Sequence, residues 1–348
     1  MNILYGIQGT GHGHISRARE ILPVLSQKAE VDVLLSGHNC QMKLENLDIS
    51  YKRGISLTYD SNGGVSYLKT ALQLDPISFL NDVRHLNIEK YDLVISDYEP
   101  ISSWAAMKAG KRCIGLSHQA AFLSDRTPRP SRTSVFAEQI LKHFAPSHKA
   151  IGFHFLKYDH FVEGPIIRSD VGNLNPVSGN HISVYLPAYD HRNLIPIFRQ
   201  CRSVRWEIFS PLCDESYTTH NVTVHPVGNE PFLQSLESCY GVLTSAGFET
   251  CAESIYLGKK LMVVPIKNQY EQLCNAIALQ KMGVPVQFEL GDHSVTPIQR
   301  WLCDSSRAVI PEIADAEKIT DKLVRFAGGR KLNLKKEEIN KAGAISLP

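Results

Sequence analysis

This 348-residue chain has no long apolar run. The longest, around Leu261–Ile266, falls far short of the roughly 20 residues that a membrane-spanning helix needs. It also has no charge excess. Lys and Arg number 37 against 35 Asp and Glu, a net +2, so no basic face argues for nucleic acid. Met1–Ile7 has no basic region leading into a long apolar run, so no secretory signal is expected. The cysteines (Cys40, Cys113, Cys201, Cys213, Cys239, Cys251, Cys274 and Cys303) form no C-x-x-C pair, which argues against structural zinc. Scattered through apolar runs, they read as buried free thiols in a reducing cytosol. No two aspartates stand two apart, and no carboxylates cluster to hold a metal, so a metal-independent protein is expected. There is no internal repeat and no low-complexity tract.

What is present is a globular composition, 43% hydrophobic and 21% charged, with length for two domains. Short apolar strands alternate with helical segments. In the first half they are NILYGI, VDVLLS (Val31–Ser36), DLVIS (Asp92–Ser96), RCIGLS (Arg112–Ser117) and KAIGF (Lys149–Phe153). Ile15–Gln27 carries apolar residues at helical spacing. A second series runs HISVYL (His181–Leu186), VRWEIF (Val204–Phe209), NVTVHPV (Asn221–Val227), YGVLTS (Tyr240–Ser245) and KLMVVP (Lys260–Pro265). Helical segments Phe248–Leu257 and Tyr270–Met282 are interspersed, and Ala316–Phe326 closes the series. Buried strands alternating with helices mean parallel βαβ units, so two open α/β domains are expected. The predicted division is a first domain at 1–163, a Gly/Pro/Asn-containing linker at 164–178, a second domain at 179–328, and a basic tail at 329–348.

The loop after the first strand reads Gly9-Thr10-Gly11-His12-Gly13-His14. Glycines here let the backbone approach a ligand. A dinucleotide fingerprint would need glycine at position 14 and an acid after the second strand. The chain has His14, and VDVLLS runs into Gly37-His38. A histidine at the carboxyl end of a first strand is placed to act as a general base for a hydroxyl. Asp97, ending DLVIS on the same sheet edge, is its candidate orienter, with Glu99 as the alternative. Asp97 as a cap of the helix after Pro100 is the competing structural role.

Thr244–Ala276 reads strand, Ser-Ala-Gly turn, helix, Gly stop, strand, Pro, polar loop, helix. Such a turn exposes N–H groups that can hold a pyrophosphate without a metal. Glu253 suits a ribose diol, and Glu271-Gln272 can read sugar hydroxyls.

This segment resembles the donor-binding region of GT-B glycosyltransferases, both the peptidoglycan N-acetylglucosaminyltransferases of the MurG type and the plant-type UDP-glycosyltransferases. Ser245, Gly247, Thr250, Glu253, Pro265, Glu271, Gln272, Asn275 and Ala276 match the pattern. The glycine loop, with Gly11 and Gly13 before His14, is similar to the same family's. The resemblance implies two Rossmann-like open parallel-sheet domains facing across a cleft. The acceptor would sit on the first domain and a nucleotide sugar, UDP-linked as in those families, on the second. It implies that Ser245, Gly247, Phe248 and Thr250 lie at the diphosphate, Glu253 at the ribose, and Glu271 and Gln272 at the transferred sugar. Transfer to a hydroxyl of a glycan, lipid or small molecule, with inversion, is the implied activity; cell-envelope polysaccharide is one acceptor class. No cofactor is implied beyond the donor substrate.

Two departures stand out. Glu249 occupies a position where the plant-type enzymes have Asn, and Leu186-Pro187-Ala188-Tyr189 lacks the Gly-Ser-rich loop of the peptidoglycan enzymes. A nucleotide-sugar 2-epimerase of the same architecture and a non-catalytic sugar-nucleotide binder are the alternative functions. Gln119–Lys157 carries six Lys and Arg against two acids, with Phe122, Phe136, Phe144, Phe153 and Phe155 interleaved. It fits either contact with anionic lipid or a solvated helix face over core aromatics.

Overall fold

The structure is a computed structural model describing residues 1–9, 12–37, 49–55 and 75–328. Gly11, Cys40 and the tail 329–348 lie outside the described residues. The first sheet comprises β1 (Asn2–Gln8), β2 (Glu30–Ser36), β3 (Ile49–Lys52), β4 (Leu93–Asp97), β5 (Cys113–Ser117), β6 (Lys149–Phe153) and β7 (Val162–Glu163). Their order is β3-β2-β1-β4-β5-β6-β7, all parallel. Its helices are α1 (His12–Ser26), α2 (Pro76–His85), α3 (Pro100–Lys108) and α4 (Val135–His143). The stripe Ala18, Ile21, Leu22 and Leu25 on α1 is fully buried, as i, i+3, i+4, i+7 spacing requires of a helix laid on a sheet.

The second sheet comprises β8 (His181–Tyr185), β9 (Arg205–Ser210), β10 (Tyr217–Thr219), β11 (Val222–Pro226), β12 (Gly241–Thr244) and β13 (Lys260–Val263). Their order is β10-β11-β9-β8-β12-β13, and only the edge strand β10 runs antiparallel. Its helices are α5 (His191–Phe198), α6 (Asn229–Ser238), α7 (Phe248–Tyr256), α8 (Tyr270–Lys281) and α9 (Val295–Cys303). In both sheets the strand order reverses beside the first strand of the domain. Open α/β sheets bind their ligands outside the carboxyl ends of the strands at that point.

Two expectations need adjustment, and one open alternative is narrowed. The stretch expected as a linker, 164–178, is partly structured: Ser169–Gly172 makes one helical turn. The closing helix α10 (Ala316–Gly328), assigned to the second domain, packs on the first. Lys28 of α1 donates to Glu317 at 2.6 Å and to Asp321 at 2.8 Å, and Lys149 of β6 lies 4.9 Å from the Phe326 ring centroid. Phe122, Phe153 and Phe155 are core residues, and Arg129 is held by Glu138, so for these the core reading of Gln119–Lys157 applies. Cys113, Cys201, Cys213, Cys239, Cys251 and Cys274 are buried free thiols, and Cys303 is exposed. No described helix is long and apolar enough to cross a membrane.

Candidate active site

β1 and β4 are hydrogen-bonded neighbours, with Ile7 opposite Asp97. That register brings the carboxyl end of β4 beside the start of α1. His14, in the first turn of α1, places Nδ1 2.7 Å from Asp97 Oδ1. Both groups are buried, His14 8% and Asp97 0% exposed. Two lone pairs at that distance would repel, so Nδ1 carries the proton and donates. In a neutral ring the acceptor is then Nε2.

Asp97 does not cap α3. Glu99 does, accepting from the N–H groups of Ile101 at 2.8 Å and Ser102 at 2.7 Å. Ser36 donates to the same carboxylate at 2.6 Å. Glu99 is therefore a structural cap and not the orienter. Burial pushes its carboxyl up, against the pull of those donors.

Arg17, one turn along α1 from His14, went unnoticed in the sequence. Its Nε donates to Asp97 Oδ2 at 2.9 Å and a terminal nitrogen to Asp97 Oδ1 at 2.7 Å, a bidentate fork. Burial alone would raise the Asp97 carboxyl. The charges and hydrogen bonds of Arg17 and His14 outweigh it and hold Asp97 below the ordinary carboxylate range. The i, i+3 spacing from His14 to Arg17 was the available signal, since it places both on one helix face.

The second domain reaches this corner through α7. Glu249, in its first turn, accepts from the other terminal nitrogen of Arg17 at 2.8 Å. A Cβ built on Gly13 would stand 3.1 Å from Glu249 Cγ and Oε1, so the glycine permits this approach. Glu249 therefore reaches across to the first domain. Its carboxyl is pushed up to about 8: burial raises it, the Arg17 charge lowers it, and Glu253, Asp97 and Glu271 raise it further.

Gly247 precedes α7 and supplies no side-chain cap, so the first-turn N–H groups have no side-chain acceptor at the cap. A Cβ built there would meet nothing nearer than Ser245 Oγ at 4.0 Å, so space is open at the helix start. Ser245 donates its backbone N–H to Tyr185 at 3.2 Å, tying the turn to the end of β8. Thr250 lies half-buried on α7. Phe248 is placed differently from expectation. Its ring stacks on His118 at 4.1 Å, and Phe155 lies 5.1 Å away, so the side chain packs between the domains and only the backbone N–H remains at the turn.

Glu253 is buried and held bidentately by Arg168, at 2.6 and 2.9 Å, and Arg168 also reaches Asn229 at 3.0 Å. Glu271 accepts from Gln119 Nε2 at 2.9 Å across the domains. Gln272 Oε1 accepts from the Ile266 N–H at 2.9 Å, and its amide nitrogen donates to no described group. Asn275 links Ala246 to His118 at 3.1 and 2.9 Å. His118 and Gln119 follow β5 on the same edge as Asp97, so the strand-end logic that found Asp97 would have found them. Among the described residues, no group of three His, Cys, Asp or Glu is placed to hold a metal.

This is the geometry of two domains joined at their carboxyl edges, with a His–Asp pair on one and an uncapped helix start on the other. The family described as glycosyl transferase family 1 matches residues 1–304. The chain belongs to that family. It is a glycosyltransferase of GT-B architecture. Its fold resembles the spinosyn forosaminyltransferase SpnP, with TM-score 0.62 and 15% identity over 94% of this chain and 100% of that one. It also resembles the calicheamicin glycosyltransferase CalG4, with TM-score 0.57 and 14% identity over 99% of each chain. A third is UGT89C1 of Arabidopsis thaliana, solved with UDP, with TM-score 0.55 and 13% identity over 98% and 99%. No curated protein sequence matches the chain. The comparisons lend the epimerase alternative no support.

Proposed function

We propose that this glycosyltransferase moves a sugar from a nucleotide sugar to a hydroxyl acceptor with inversion, and that His14 is its general base. The observation that carries the reading is the 2.7 Å contact of His14 Nδ1 with Asp97, which leaves Nε2 to accept the acceptor's proton. As the acceptor oxygen bonds to the anomeric carbon, its proton passes to His14. The bond from that carbon to the diphosphate oxygen breaks, and the electron pair leaves with the nucleoside diphosphate. The first-turn N–H groups of α7, beside the open space at Gly247, would hold the departing charge. Attack from the face opposite the leaving group inverts the anomeric carbon.

The donor class is supported by the motif Ser245–Ala276 and by a neighbour of the same fold. UGT89C1 has been solved with UDP, with UDP-L-rhamnose and with quercetin. Glu253, Glu271 and Gln272 would then face ribose and sugar, Glu253 through oxygen lone pairs that Arg168 does not use. Glycan, lipid and small molecule all supply a suitable acceptor hydroxyl. The first test is a panel of nucleotide sugars assayed by thermal shift. A true donor at about 100 times its Kd adds about 2.7 kcal/mol, whereas no stabilisation by any of them would remove the donor assignment. The anomeric configuration of the product by NMR then tests inversion.

A further inference from the structure

Arg17 is a buried charged side chain that the proposed reaction does not itself employ, and it joins the two domains. It is 4% exposed, and its donors point to two carboxylates on different domains. The Asp97 side of this fork fixes the plane of the carboxylate that His14 must meet. The Glu249 side belongs to α7, the helix whose start faces the leaving diphosphate. The Phe153 ring lies 5.4 Å from the guanidinium, and Gly13 leaves room for Glu249 to reach it. The arrangement explains why an acid can stand in the first turn of α7. Its carboxyl is turned onto Arg17, 2.8 Å away, so it need not oppose a phosphate.

We propose that Arg17 is a positioning residue that couples closure of the two domains to the orientation of the His14–Asp97 pair, with Glu249 as the closing contact. When the second domain moves away, Glu249 leaves with it. Arg17 then keeps one carboxylate partner instead of two: the terminal nitrogen that held Glu249 loses its acceptor, while the other, 3.2 Å from His14 Nδ1, stays on Asp97 with nothing bracing the far arm of the guanidinium. When the domains close, Glu249 pulls one arm of the guanidinium and the fork on Asp97 is fixed. His14 is then set for proton transfer only while α7 is in place to receive the leaving group. The proton that His14 takes also adds positive charge beside Arg17, and Asp97 and Glu249 are the two carboxylates that hydrogen-bond to that guanidinium.

This inference rests on His14 being the base, so His14→Ala is measured alongside. An active His14→Ala enzyme overturns the base reading itself, whatever the other variants do. With His14→Ala inactive, Glu249→Gln tests the coupling, because it keeps the shape and leaves both Arg17 and Asp97 in place. The expected result is a kcat lower by roughly 10–100-fold, the range for a displaced catalytic group, with KM for donor and acceptor within about threefold. Arg17→Lys, which keeps the charge but not the fork, is expected to fall as far. In the double variant the two losses should not add, as for residues acting through one contact. Small-angle scattering of the unliganded protein should show a larger radius of gyration for Glu249→Gln than for wild type. Unchanged kcat in Glu249→Gln, a loss confined to donor KM, or fully additive losses in the double variant would each overturn the coupling.

Discussion

Asp97→Asn separates what the His14–Asp97–Arg17 corner does for rate from what it does for stability. The carboxylate accepts three charge-assisted hydrogen bonds, from His14 at 2.7 Å and from Arg17 at 2.9 and 2.7 Å. An asparagine offers one oxygen. If that oxygen stays toward His14, its amide N–H groups face the Nε–H of Arg17, donor against donor. If it turns toward Arg17 Nε, the amide faces His14 Nδ1 and forces the ring to accept there, which puts the proton on Nε2. The first arrangement disturbs the orienting fork, and the second removes the base. Transfer should fall by roughly 10²–10⁴-fold, the span of general base catalysis. The stability cost follows from burial. Arg17 is left with Glu249 alone, and breaking a buried ion pair costs about 3–5 kcal/mol. A melting temperature lower by roughly 5–15 °C is expected. The assay is kcat measured well below the variant's own melting transition, beside a nucleotide-sugar titration. A folded Asp97→Asn enzyme with kcat within threefold of wild type would refute the orienting role.

Glu253→Ala should weaken nucleotide-sugar binding about 10–150-fold by calorimetry, the value of a hydrogen bond to a charged group; unchanged affinity would move the ribose elsewhere. Turnover should survive EDTA, because helix N–H groups and not a divalent ion are assigned the diphosphate. Abolition by EDTA with rescue by Mg²⁺ or Mn²⁺ would make Glu249 the first candidate ligand. Burial pushes the folded Glu249 carboxyl up to about 8, against roughly 4.3 in an unfolded chain. Between those values the folded chain holds a proton that the unfolded chain lacks, so its contribution to stability falls as pH rises. Melting between pH 5 and pH 9 should therefore drop more in wild type than in Glu249→Gln, and parallel curves would contradict that sign.

What could be read from the sequence follows from strand ends. Buried strands such as β1 and β6 announce themselves as short apolar runs. The carboxyl ends of parallel strands share one edge, so His14 and Asp97 could both be placed on it, but their pairing depends on β1 and β4 being neighbours, which the sequence does not show. Contacts between domains carry no such periodic signal. Glu249 looked like an isolated misfit until Arg17 stood opposite it. Phe248 looked like part of a phosphate turn, although its ring is claimed by His118. α10 is amphipathic, and its pattern shows that one face is buried but not that the face lies on α1. β3 and α2 escaped notice for another reason. Ile49–Lys52 is a partly exposed edge strand, and of α2 only Val83 is buried, so neither has the dense apolar pattern that marks a core element.

The proposed transfer turns on the proton of the acceptor hydroxyl. The most direct measurement is single-turnover sugar transfer by His14→Ala, with donor affinity measured on the same preparation. The transfer rate is expected to fall by about 10²–10⁴-fold with donor affinity nearly unchanged, because His14 is assigned the acceptor's proton and not the nucleotide. Transfer at the wild-type rate, or a loss carried entirely by donor binding, would contradict it.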